Sequence, residues 1–175
     1  MSSAYLTLAI TTAIQALVAL AALAVPVLAP AAASELGFAT TLVGYFVGAM
    51  YIGASTSALT SGGLILRYGS VRVSQVCLLM CAAAMALITV LPLAWMPAAA
   101  ILLGAGYGPI TPASSHVLVR TTPPHMMALV FSIKQTGVPV GAALAGIIVP
   151  PLTLSFGWRS ASLTVAALCV MVAAI

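Results

Sequence analysis

Six charged side chains in 175 residues constrain this chain more than any other feature. They are Glu35, Arg67, Arg72, Arg120, Lys134 and Arg159, and the longest uncharged runs between them hold 34, 31 and 47 residues. A soluble domain carries about 25% charged residues; here the figure is 3%, with 63% hydrophobic. Such a chain has no polar surface to turn toward water, which excludes soluble globular and disordered classes. The net charge of +4 comes from cations scattered along the chain. They form no basic patch, so no nucleic-acid partner is implied. The expected partner is a lipid bilayer.

A helix crosses a hydrocarbon core of ~30 Å with about 20 apolar residues. The uncharged runs then predict an all-α, polytopic membrane protein of six spans. The first lies within residues 1–34, closed by Pro26 and Pro30, and the second covers roughly 40–61. The third and fourth, near 73–91 and 98–119, are separated by a turn at Pro92 and Pro97 that includes Trp95. The fifth covers 126–149 and stops at Pro150-Pro151, and the sixth runs from Arg159 to Ile175. Continuous apolar runs, with no alternation, argue against a β-barrel. The first run lacks a preceding cation and exceeds a signal-peptide core, so it reads as a span.

Orientation follows from the loop cations. In a six-span arrangement Arg67, Arg72, Arg120 and Lys134 share one side, and Arg159 shares the other with Glu35. The positive-inside rule puts the first group, and the N-terminus, in the cytoplasm. The expected location is a bacterial inner (plasma) membrane.

Two spans carry the same glycine spacing at an offset of 93: Gly44, Gly48 and Gly53 in the second, Gly137, Gly141 and Gly146 in the fifth. Small residues at such spacing let helix backbones approach closely. A packing stripe explains each alone. Their equivalent places also suit two inverted three-helix repeats, 1–94 and 98–175, a feature of secondary transporters.

The segment Gly62-Gly63-Leu64-Ile65-Leu66-Arg67-Tyr68-Gly69-Ser70-Val71-Arg72 resembles the loop signature of the major facilitator superfamily between its second and third helices. Gly62, Arg67, Gly69 and Arg72 match it, whereas Leu66 stands where the family has an aspartate. The resemblance implies a cytoplasmic gate loop, of which only the basic half is present here. Gly104-Ala105-Gly106-Tyr107-Gly108 with Pro112-Ala113 is similar to the family's fourth helix. Lys134-Gln135-Thr136-Gly137 through Pro150 is similar to the fifth, and Gly157-Trp158-Arg159 to the start of the sixth. Ala100 replaces a proton-coupling arginine often found in helix four, and Ala142 replaces a proline of the drug-antiporter signature in helix five. Both departures argue against a multidrug antiporter of the usual type. The resemblance implies a secondary active transporter of a small solute by alternating access. It covers only the N-terminal half of the family's twelve helices, so a second six-helix half is an implied partner. The last span agrees: 159–175 makes about 25 Å of helix, short of a ~30 Å core, and predicts an incomplete chain.

Polar residues inside the spans are the candidate solute pathway: Gln15, Tyr107, His116, Lys134 and Gln135, with Tyr45, Tyr51, Ser114, Ser115 and Thr136 as further members. Lys134 admits two readings. It is an anchor that snorkels to the surface, or a cation that binds an anionic solute, because no span contains an acid. The glycines at 104, 106 and 108, with Pro109 and Pro112, are expected to bend span four and open a cavity. They lack the strand–turn–helix context of a nucleotide site. Cys77, Cys81 and Cys169 read as small buried side chains; no metal site, cofactor or disulfide framework is expected. Ser55 with His116 or His125 makes a weak candidate for an intramembrane serine protease, with no oxyanion donors apparent, and no enzyme activity is expected. A non-transporting scaffold subunit is the third alternative.

Overall fold

A computed structural model gives the structure of the chain and describes residues 2–90 and 92–174. The expected span ends at Met1, Leu91 and Ile175 lie outside the described residues. All regular structure among the described residues is helical: α1 (Ser2–Leu36), α2 (Leu42–Tyr68), α3 (Ser70–Val90), α4 (Met96–Tyr107), α5 (Ile110–Thr121), α6 (Met127–Gln135) and α7 (Gly137–Ala173). Short 3-10 turns at Leu93–Trp95 and Pro124–Met126 lead into α4 and α6.

Among the described residues, five stretches are long and apolar enough to cross a membrane. The last, Pro124–Ala173, holds 50 residues and contains both the fifth and the sixth expected spans. Within α7 the backbone leaves the helix at Gly157, with φ 83° and ψ 159°. Contacts on either side show what that does. Gly137 lies against Thr12 and Gln15, and Gly141 against Ala16 and Leu20, so the first arm runs parallel to α1. Beyond Gly157, Arg159 Nε donates to the Thr89 carbonyl and Ser162 Oγ to the Met85 carbonyl, so the second arm runs antiparallel to α3. Leu103 and Gly106 meet Cys81 and Cys77 in turn, which makes α4 antiparallel to α3 as well. The chain reverses at Gly157.

The prolines do not end helices where the sequence predicted. α1 continues through Pro26 and Pro30 to Leu36, and α7 continues through Pro150 and Pro151. Proline in a helix frees carbonyls and bends the backbone, but packing against neighbouring helices compensates inside a membrane. α1 has that support: Val18, Ala19, Leu20, Ala21, Ala24 and Leu28 are all buried against the rest of the bundle. At 35 residues it measures about 52 Å, longer than a ~30 Å core, so it tilts or projects beyond it.

α2 is the outermost of the five stretches. Its contact with α4 depends on absent side chains. A Cβ at Gly104 would overlap the Met50 backbone, and one at Gly108 the Ala54 carbonyl; a Cβ at Gly53 would meet the Ile101 carbonyl. The glycine run of span four therefore closes a helix contact rather than opening a cavity, and the bend falls just beyond it, at Gly108-Pro109 between α4 and α5.

The two glycine stripes are used on opposite faces. Gly137 and Gly141 pack against α1, and Gly146 faces open space; Gly44 and Gly48 face open space, and Gly53 packs. The physical reason is angular. At ~100° per residue, positions four apart lie about 40° apart, but a further step of five adds about 140° and crosses to the other side. The third glycine of each set never shared a face with the first two.

Candidate functional site

The buried polar residues are satisfied in different ways; Ser162 and Ser70 bond across helices, to the Met85 carbonyl and to His116. Thr11, Ser61 and Ser114 donate to carbonyls of their own helices and need nothing else. Gln15 and Lys134, each only 1% exposed, are too long to do this and reach across helices. Gln15 Nε2 lies 3.4 Å from Thr111 Oγ1, which lies 3.5 Å from Gln15 Oε1. Lys134 Nζ donates to the Thr111 carbonyl at 3.5 Å, an oxygen that already accepts from Ser114 Oγ at 3.0 Å. Thr12 Oγ1, one helical turn from Gln15, is buried with no partner among the described residues.

Local sequence builds this group. Glycine at 137 leaves room for the Gln15 side chain, since a Cβ there would sit 2.9 Å from Gln15 Cβ and from the Thr12 carbonyl. The break before α5 sets Thr111 in the first turn of a new helix, where its side chain is exposed. Lys134 is the penultimate residue of the short helix α6, two residues before the break at Thr136. The group thus lies one side chain beneath an open face. An ammonium has three donors, and this one has a single long contact. No acid neutralises it: Glu35, the one carboxylate, pairs with Arg159.

The two ends of the bundle are furnished differently. At one, the α2–α3 reversal runs through Gly69, at φ 83° and ψ 154°. Arg67 stacks on its neighbour Tyr68 at 5.2 Å, and Arg72 is exposed and forms no ion pair among the described residues. Ser70 Oγ and His116 Nδ1 are 3.1 Å apart and tie this turn to α5. At the other end, Glu35 accepts from Trp158 Nε1 at 2.7 Å and pairs with Arg159, whose guanidinium stacks on the Trp158 ring at 4.5 Å.

The Major Facilitator Superfamily model matches residues 8–175. The chain belongs to the major facilitator superfamily. It is therefore a multi-pass membrane protein of a transporter family, and members of this superfamily are generally transporters rather than enzymes. No curated protein and no solved structure matches the chain.

With the superfamily in place, the expected residues sort by location. Gln15 and Lys134 converge on Thr111, from α1 and α6; sequence reasoning missed Thr12, one turn from Gln15, and Thr111, which only the folded packing of α5 brings alongside. Gln135 and Thr136 are exposed, unlike their buried neighbour Lys134. Tyr107 is half-buried against the core, and Tyr45 and Tyr51 are exposed on α2. His116 is engaged with Ser70 at the α2–α3 turn rather than with Lys134 or Ser55. Gly62, Arg67, Gly69 and Arg72 are exposed together around the α2–α3 turn. Cys77, Cys81 and Cys169 are buried free thiols.

Proposed function

We propose that this superfamily member carries a small anionic solute by alternating access, with Lys134 and Gln15 on the solute's path. The observation that carries the reading is the Lys134 ammonium, 1% exposed with one contact at 3.5 Å. Burying a lysine in a membrane helix costs about 2.5–3.5 kcal/mol on insertion scales, and such residues mark substrate or ion pathways. A snorkelling anchor keeps its ammonium in water; this one is covered. An anion that accepts from Lys134 and Gln15 would supply the missing counter-charge.

The remaining architecture is read in the same way. The reversal at Gly157 supports a reading of six crossings, with the Arg67 end cytoplasmic by the positive-inside rule, in a bacterial plasma membrane. The repeat reading of 1–94 and 98–175 gains support from the turns at Gly69 and Gly157, which share one backbone conformation. A second six-helix half would complete the solute's path, and rocking one bundle against the other would expose a midplane site to each side.

The test is uptake and equilibrium binding by the full-length protein in liposomes, with Lys134→Ala, Lys134→Arg and Lys134→Gln compared at equal reconstitution. Lys134→Ala should abolish binding of a carboxylate or similar anion, and Lys134→Arg should retain part of it. Transport by Lys134→Gln at the wild-type rate and affinity would remove the anion reading.

A further inference from the structure

A cavity of about 200 Å³ lies at the Glu35 end, between the ends of α1 and α3 and the beginnings of α2 and α4. Leu28, Ala32, Phe46, Ile88, Met96 and Trp158 are among its walls, and almost all of its surface is apolar. Trp158 belongs to two environments: its ring lines the cavity, and its Nε1 holds Glu35 Oε2 at 2.7 Å. The carboxylate and Arg159 therefore sit on the rim of an apolar slot. Both are about half exposed, at 51% and 43%, so one positive and one negative group face outward side by side. Both tryptophans of the chain, Trp95 and Trp158, are at this end, as expected of a membrane–water boundary.

We propose that this slot binds a phospholipid with a zwitterionic, primary-amine headgroup, one acyl chain in the cavity and the headgroup on the Glu35–Arg159 pair. The apolar walls match a hydrocarbon chain and nothing polar. The rim matches a headgroup with both charges. Arg159 has five N–H donors; Nε serves Thr89 and Nη1 serves Glu35, which leaves donors for a phosphate oxygen. Glu35 has acceptor capacity left beyond its two bonds, which an ammonium N–H can fill. A quaternary choline ammonium has no N–H to give. An anionic headgroup without an amine can satisfy Arg159 through its phosphate, but it offers Glu35 no ammonium and adds a second negative charge beside it. This site lies at the opposite end from the gate loop and does not rest on the transport reading.

Trp158 reports directly on its own occupant. Full-length protein carrying Trp95→Phe, so that Trp158 is this chain's remaining tryptophan, is placed in mixed micelles with lipids whose acyl chains are brominated and quench indole fluorescence. The headgroups compared are phosphatidylethanolamine, phosphatidylcholine and phosphatidylglycerol. The ethanolamine lipid should quench at a mole fraction several-fold lower than the other two. Glu35→Gln should bring the ethanolamine and choline curves together. Ala29→Leu, which fills the slot from α1, should remove the preferential quenching while circular dichroism stays unchanged; Val43→Leu fills it from α2 should the first variant fail to fold. Equal quenching by all three lipids, stronger quenching by the glycerol lipid, or an undiminished ethanolamine preference in a folded slot-filled variant would each overturn the proposal.

Discussion

The turns at Gly69 and Gly157 have the same backbone and opposite surroundings. Both follow an aromatic residue, Tyr68 in one and Phe156 in the other, and both sit at φ 83° with ψ 154° and 159°. That region of conformational space is essentially restricted to glycine. After Gly157 the chain is clasped at once: Trp158 is 5% exposed, and Arg159 joins Glu35 of α1 to Thr89 of α3. After Gly69 the chain has, among the described residues, one cross-helix side-chain bond, between Ser70 and His116, and no acid pairs with its two arginines there. One reversal is tied to two other helices, with an ion pair among its bonds, and the other to a single helix by one uncharged contact. A gate needs a turn that changes partners, and a pivot needs one that does not. Under the proposed alternating access, the mobile role falls to Gly69 and the fixed role to Gly157.

The largest effect should come from breaking the fixed turn. A side chain at either glycine costs about 1–3 kcal/mol in local strain. At Gly157, relaxing that strain also pulls Trp158 and Arg159 from their partners, so Gly157→Ala should lower the thermal midpoint well beyond what Gly69→Ala does. Gly69→Ala, or Gly69→Val, should instead reduce uptake at equal surface expression. Melting curves and uptake for both variants, measured side by side, check the contrast. Equal loss of stability from both would mean that the clasp adds nothing to the turn.

Next in size is the clasp itself. Glu35→Gln keeps an acceptor for the Trp158 indole but removes the charge opposite Arg159. The midpoint should fall by less than in Gly157→Ala, and high salt should lower the wild-type midpoint toward that of the variant, since half-exposed pairs are screened. A salt-independent difference between the two would show that the carboxylate acts through packing or the indole bond alone.

How far the sequence displayed this contrast depends on the range of the interactions. Uncharged runs and loop cations are local, and they place the helices, the Arg67 end, and Glu35 on the same side as Arg159. The glycine at 69 was legible as a turn for the same reason. Proline was misleading at 26, 30, 150 and 151, because whether it ends a helix depends on what packs beside it, and that is a tertiary fact. The stripes misled through angle: a five-residue step crosses the helix. The pairing of Gln15 with Thr111 joins residues 96 positions apart, and the slot sets Trp158 against residues at least 61 positions away; no spacing rule spans such distances. One signal was present and unread. Tyr68-Gly69 and Phe156-Gly157 repeat the aromatic–glycine step at an offset of 88, and they mark the two positive-φ reversals better than the glycine stripes at 93 do.

The smallest effect on stability, and the sharpest test of the contrast, comes from giving the open turn an acid. Leu66 is 80% exposed and precedes Arg67, at the position where the superfamily signature has aspartate. Leu66→Asp would set a carboxylate beside Arg67 and within the same turn as Arg72. An exposed ion pair of this kind is worth only about 0.2–1 kcal/mol, so the midpoint should rise slightly or stay level. Transport responds differently if the turn moves. An acid that pairs with the arginines in one arrangement and not in another biases the equilibrium between them by its differential contact, and a 1 kcal/mol bias is about a fivefold shift in population. Leu66→Asp should therefore change the uptake rate several-fold with little change in melting, and Leu66→Asn, which adds polarity without charge, should not. Uptake that is unchanged in both variants at equal expression would make the Gly69 turn as fixed as the Gly157 turn, held by its glycine and anchored by its arginines.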